Sequence, residues 1–319
     1  MIINTINTFN LFVAESFKKL FYVGGSVVTL GLAVVNPAQA AKSSQEPGQG
    51  ATVMPAAIDV RGKPARLLSA FFGLDNGLPL GANLICLGAS GQDGMPVVLS
   101  HTVDPETLQP EDFQIVTRSG VEHTPHCLTL RPASDPGELR TVLLVGEFGS
   151  ASDDPPVSVH VVGDLLSDGS LLDDTGLDPV NFRGAQVAVT PLEAGPFLVL
   201  AELVPESEWS LKTRGTACPV GIRQVVRVTW AGGVRLPNRD ELGDEERRLY
   251  RVTVKRGDGS SDEIIPLALA DLEDRDNNHL LCLDTSDPVV SVSFPAGHLV
   301  DPNRDLNPDT HIAVNGVMK

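Results

Sequence analysis

In "DPNRDLNPD", residues 301 to 309, Asp301, Asn303, Asp305, Asn307 and Asp309 place a short oxygen-bearing side chain at every second position. A hard cation such as calcium takes about six to eight oxygen ligands, so this stretch is a candidate calcium loop. Its opening, D-P-N-R-D, fits the start of an EF-hand. Leu306 then stands where that loop needs glycine, and Ile312 where it needs glutamate, so an EF-hand is excluded. The competing reading is an Asx-rich turn, stiffened by Pro302 and Pro308, whose side chains bond nearby backbone N–H groups. A second run, "DLEDRDNNH", supplies Asp271, Glu273, Asp274, Asp276, Asn277, Asn278 and His279. A third, "SDGSLLDDTGLD", holds Asp168, Asp173, Asp174 and Asp178. The candidate ligands are Asp271, Asp274, Asp276 and Asn278 in one loop, and Asp301, Asn303, Asp305 and Asp309 in the other. Calcium is the expected ion, against the ordinary reading of each run as a solvated charged loop.

Other chemistry has less support. "EHTPHC" brings His123 and His126 close in sequence, but on a strand positions i and i+3 point to opposite faces, so the pair reads as surface histidines. There is no G-x-S-x-G elbow, no H-E-x-x-H and no phosphate-binding glycine loop. A hydrolase using Asp271, Asp274 or Asp276 is the alternative, because paired catalytic acids follow no spacing rule.

The elements that must position these residues come from the whole chain. Of 319 residues, 41 are acidic and 24 are Lys or Arg, a formal net charge of -17. Such a surface repels phosphate backbones, which argues against nucleic-acid partners. Lys18 and Lys19 precede an apolar run from Leu20 to Val35, and "AQA" ends at Ala40. This predicts a cleaved export signal over 1–40, with the mature chain starting at Ala41 in the periplasm or outside the cell. The run is shorter than the roughly 20 residues of a spanning helix, so no transmembrane span is expected after cleavage. Residues 41–56 read as a flexible leader. In an oxidising compartment the four cysteines, Cys86, Cys127, Cys218 and Cys282, suggest two disulfides, with three possible connectivities.

Short alternating runs predict strands. In "YRVTVK" Tyr250, Val252 and Val254 face in; in "VSVSF" Val290, Val292 and Phe294 do; in "VRVTW" Val226, Val228 and Trp230 do. Turn clusters such as "GASGQDGMP", "KRGDGSS" and "ASDPGE" separate them, and "RDELGDEERRL", 239–249, is the one short-helix candidate. The second half of the chain repeats the first in order. "RLLSAFFGLDNG" matches "FLVLAELVPE", Cys86 matches Cys218, "MPVVLSHTVD" matches "IRQVVRVTWAG", and "FQIVTRSG" matches "YRVTVKRGDG". The strands at His126 and Asp153 are set against those at His279 and Asn307. One disulfide per copy follows, Cys86–Cys127 and Cys218–Cys282, each constraining the unfolded chain by roughly 3–4 kcal/mol. The reading is an all-β protein of two tandem antiparallel β-sandwich domains, 57–164 and 196–319, joined by an acidic segment over 165–195.

"VVLSHTVDPETLQPEDFQIVTRSG" resembles the bacterial Ig-like modules of secreted adhesins and surface-layer proteins: a strand, an acidic D-x-x-T-L turn, then F-x-V and a glycine. The second copy departs from it, with "GGVRLPNRDEL" in place of the turn. The resemblance implies Ig-like sandwiches and a scaffolding or binding role, with no catalytic residue carried over. The expected function is an exported non-catalytic protein that binds a protein, a glycan or a neighbouring envelope component.

Overall fold

Alternating apolar residues become strands wherever turn clusters bound them. The computed structural model describes residues 65–169, 179–209 and 216–315, which belong to one compact unit, Thr52–Lys319. The expected export signal and leader, the start of the first expected domain, and Asp173, Asp174 and Asp178 lie outside the described residues.

The protein is mostly β, in several sheets. The first half contributes β1 (Leu67–Phe71), β2 (Asp93–Leu99), β3 (Phe113–Thr117), β4 (Glu122–His123), β5 (Cys127–Thr129), β6 (Thr141–Gly146), β7 (Pro156–Val161) and β8 (Gln186–Thr190). Their order is β4-β3-β7-β8-β1-β2-β6-β5. The second half contributes β9 (Leu198–Leu203), β10 (Gln224–Trp230), β11 (Arg251–Lys255), β12 (Ser261–Ile264), β13 (Ala268–Ala270), β14 (Asn278–Leu283), β15 (Val289–Phe294) and β16 (Thr310–Ala313). It forms two sheets, β12-β11-β15-β16 and β13-β14-β10-β9. Counted within each half, the strand orders are the same.

One junction differs between the halves. β8 pairs antiparallel with β7 and parallel with β1, which fuses two four-stranded layers into one sheet. The counterpart in the second half is a single parallel bridge, Glu202 to Asn315. An all-antiparallel arrangement therefore gives way at the edge where first and last strands run alongside. β8 also falls in the stretch expected to join the halves; Leu165, Phe182 and Val187 from that stretch pack on the first core, which they help close.

The disulfides are Cys86–Cys127 and Cys218–Cys282, as the repeat predicts, but they are not equivalent. Cys127 is on β5, the fifth strand of its half; Cys282 is on β14, the sixth. Aligning cysteine with cysteine slides the later part of the repeat by one strand. The true counterpart of β5 is the short β13, and that of β7 is β15, not the strand at Asn307.

Each half closes on its own core. Phe72, Met95, Val97, Phe113, Ile115 and Phe148 fill the first; Trp230, Tyr250, Val252, Val292 and Phe294 lead the second. Phe294 meets Trp230 and Tyr250 edge-on, at centroid distances of 5.5 and 4.7 Å, the geometry favoured by ring quadrupoles. Two expectations about facing need correction. The register of β11 on β15 slips between Thr253 and Val254, and this bulge turns Val289 inward and leaves Val290 exposed. Arg227 and Thr229, expected to face solvent, are buried because the first half covers the outer face of β10. The 239–249 stretch yields one helical turn, Asp244–Arg247, started by Glu246 accepting the Gly243 N–H. No helix among the described residues is long and apolar enough to cross a membrane.

Candidate metal centre

The connection from β5 to β6 carries Asp135 and Glu138; the connection from β13 to β14 carries Asp271 and Asp274. They are the same connection in the two halves, and they meet. One carboxylate oxygen from each of the four lies within 4.8 Å of the others. Oxygen-rich acidic sets suit hard divalent cations, so this group could hold a metal ion. Asp276 lies alongside. Burial, and then the nearby Glu138 and Asp274, raise its carboxyl well above the ordinary range.

The loop that bears Asp271 is strained into place. Asp271, Glu273 and Arg275 have φ values of 66°, 81° and 64°, in the left-handed region that costs a side-chain-bearing residue free energy. Its anchors are the Asp271 N–H on the Thr216 carbonyl (2.8 Å) and the Glu273 N–H on Glu241. Asn278 is taken up by β14: its Oδ1 accepts from the Thr229 hydroxyl, and its N–H donates to Asp276 Oδ1, both at 2.7 Å. His279 turns inward, where Tyr250 Oη lies 2.8 Å from its Nδ1 and burial lowers its pKa to about 4. The histidine of that acidic run therefore faces the core, away from the carboxylates.

Beneath the acidic group lies an ion network that also joins the halves. Arg140 Nη2 is 2.9 Å from Glu202 Oε1, and Arg227 Nη1 is 3.2 Å from the same oxygen. Arg227 Nε lies 3.8 Å from Glu138 Oε1, and its Nη1 donates to the Gly137 carbonyl at 2.8 Å. Arg227 and Glu202 are 1% and 0% exposed. Burial lowers the pKa of Arg140, and Glu202 opposes that shift. Gly137 (φ 84°) lets the guanidinium approach, since a Cβ there would be 2.8 Å from Arg227 Nη2.

The 301–309 loop is a separate structure, held by its own side chains. Asp301 Oδ1 accepts the Asp305 N–H (2.8 Å), and Asn303 Nδ2 donates to Asp305 Oδ2 (2.7 Å). Asn307 accepts the N–H groups of His298 and Leu299 and donates to the carbonyls of Pro295 and Pro308. Asp309 accepts the Ala296 N–H. These are the contacts of an Asx-rich turn. The two histidines of "EHTPHC" do not converge either: His123 is on β4, while His126 Nε2 meets the Leu87 carbonyl at 2.9 Å.

Asp301 gives a pH test of that turn. It is fully buried, its Oδ2 has no hydrogen-bond partner, and burial raises its pKa from an ordinary 3.8 to about 6. A carboxyl with a raised folded pKa stabilises the fold below its unfolded pKa, and that stability is lost as pH rises through about 6. Asp301→Asn keeps the Oδ1 acceptor and removes the buried charge. Without added cation it is expected to gain about 1–3 kcal/mol relative to the parent at pH 8, and almost nothing at pH 4. Equal effects at both pH values in thermal melts would refute this.

The sequence singled out Asp271 and Asp274 but passed over Asp135 and Glu138, which stand in "ASDPGE", read as a turn. Registering the repeat by strands rather than cysteines would have set that turn opposite "DLEDRDNNH".

The fold and site together define a mostly β protein whose two similarly ordered halves meet through a buried acidic and ionic junction. No family model matches the chain, and no curated protein matches it in sequence. The N-terminal part of the bacterial S-layer protein SbsC aligns with 79% of this chain and 44% of its own, at 12% identity and a TM-score of 0.26, a likeness too slight to bear on fold or function.

Proposed function

We propose that the chain is an exported, non-catalytic binding or structural protein of the cell envelope, made of two Ig-like halves that take calcium between them and present loops to a protein or glycan. Lettering the eight strands of each half A, B, C, C′, D, E, F and G gives sheets A-B-E-D and C′-C-F-G, the layers of an Ig-type sandwich, which supports the Ig-like reading. One disulfide in each half fits an oxidising compartment. The observation that carries the proposal is the group of Asp135, Glu138, Asp271 and Asp274, drawn equally from both halves. A cation there joins the halves and leaves the outer loops for a partner.

Calcium that binds the folded state alone stabilises it by about 2.7 kcal/mol at a hundredfold excess over Kd. For a unit of this size the melting temperature is then expected to rise by about 5–10 °C over chelator. Sodium at matched ionic strength should not reproduce the rise. Asp271→Asn with Asp274→Asn should abolish it, and Asp301→Asn with Asp305→Asn should retain it. A rise equal in sodium, or one indifferent to Asp271 and Asp274, defeats the calcium assignment.

A further inference from the structure

The two halves contact each other reciprocally. On one side Arg227 of β10 fills the space against the β5–β6 connection, bonding to Gly137. On the other side the equivalent space lies between β2 and the β13–β14 connection. The strand registers identify the residue that corresponds to Arg227: Arg227 pairs with Leu280 on β14, the third residue of that strand, and Pro96 pairs with Leu143, the third residue of β6. Proline has neither the length nor the charge to fill the space. What remains is a cavity of about 250 Å³, several times the roughly 30 Å³ share of one water. Pro96, Leu74, Leu78, Leu130 and Leu143 wall it from the first half, and Gly233, Pro302 and residues 275–277 close it from the second.

The polar groups of this cavity have a different sign from those across the junction. There a buried cation meets carboxylates. Here Arg131 and Arg275 line the cavity, both exposed, and neither guanidinium pairs with a carboxylate among the described residues. Asn277, also in the wall, is already engaged by Thr141 and the Trp230 carbonyl. Asp276 also lines the cavity and accepts the Asn278 N–H. Arginines with no carboxylate partner among the described residues, lining an apolar cavity on a chain of net charge -17, favour an anion carried on an apolar body.

We infer that this junction cavity binds a small amphiphile, an aliphatic chain ending in a carboxylate, with the chain against Leu74, Leu78 and Leu143 and the carboxylate at Arg131 and Arg275.

Calorimetric titration of the full chain with octanoate and with octanol, in chelator, tests this. Octanoate is expected to bind saturably at one site, and octanol at least about tenfold more weakly. Arg131→Ala with Arg275→Ala should bring octanoate down to the level of octanol and leave octanol unchanged. Gly233→Leu should abolish both. A Cβ at Gly233 meets nothing nearer than Pro302 at 3.6 Å, and its φ is not in the left-handed region, so the variant fits the fold while filling the cavity. If it melts early, Leu78→Trp plugs the opposite wall. No saturable binding, unchanged binding in a folded plugged variant, or an octanoate-to-octanol ratio unmoved by the arginine pair would each overturn the inference.

Discussion

Glu202→Ala is expected to lower stability by about 3–5 kcal/mol, because it removes the carboxylate that two buried guanidinium groups share. Glu202 Oε1 is the shared partner of Arg140 and Arg227, at 2.9 and 3.2 Å, and all three side chains are buried. For a unit of this size the loss should lower the melting temperature by about 10 °C or more. Glu202→Gln keeps an acceptor without the charge and should fall between parent and alanine variant. Calorimetric melting of the three proteins decides it; a change below about 2 °C for alanine would mean that the network is open to water. Replacing Arg140 and Glu202 together by apolar residues should recover part of the loss, since that pair leaves with both its signs while Arg227 keeps the Gly137 carbonyl and Glu138.

The second large effect belongs to Asn307. Its amide makes four hydrogen bonds, accepting from His298 and Leu299 at 2.9 and 2.8 Å and donating to Pro295 and Pro308 at 2.8 and 2.9 Å. Asn307→Ala leaves the buried Leu299 N–H without an acceptor and opens the connection between β15 and β16. Each buried orphan costs about 1–3 kcal/mol, so a loss of about 2–4 kcal/mol is expected. Asn303→Ala, at an exposed position two residues from Asp301, should lie within about 0.5 kcal/mol of the parent. Denaturant unfolding of both variants checks the contrast. Equal losses would show that the Asn307 clamp is not the main anchor of the loop. The clamp also explains Gly195: a Cβ there would lie 1.9 Å from the Leu306 carbonyl, so this turn packs directly on the linker between the halves.

Strand periodicity made the β architecture and the first half of the repeat legible, because alternation is local. "YRVTVK" faces as written, with Val252 and Val254 buried. Alternation misplaced Val290 because a bulge depends on the partner strand, and misplaced Arg227 because a strand covered on both faces shows no alternation in burial. Cysteine pairing was legible from count and repeat. Cysteine position was not, since a disulfide reports proximity and not strand number, and aligning on it hid the equivalence of the β5–β6 and β13–β14 connections. Asp135 and Glu138 join Asp271 and Asp274 across more than a hundred residues of chain, a contact no local spacing encodes. The 301–309 stretch shows the opposite case: its alternating oxygens were conspicuous in sequence, and those of Asp301, Asn307 and Asp309 accept backbone N–H groups.

The meeting of like connections has a bearing on assembly. β1 touches β9, its own counterpart, and the β5–β6 connection touches the β13–β14 connection. Partners that touch through the same surface are arranged as in an isologous, two-fold pair, where each consumes the patch the other would offer a third. A head-to-tail array joins unlike surfaces and can grow by adding copies. Here the two halves meet through like elements within one chain, so a third copy of the fold would find this surface already occupied.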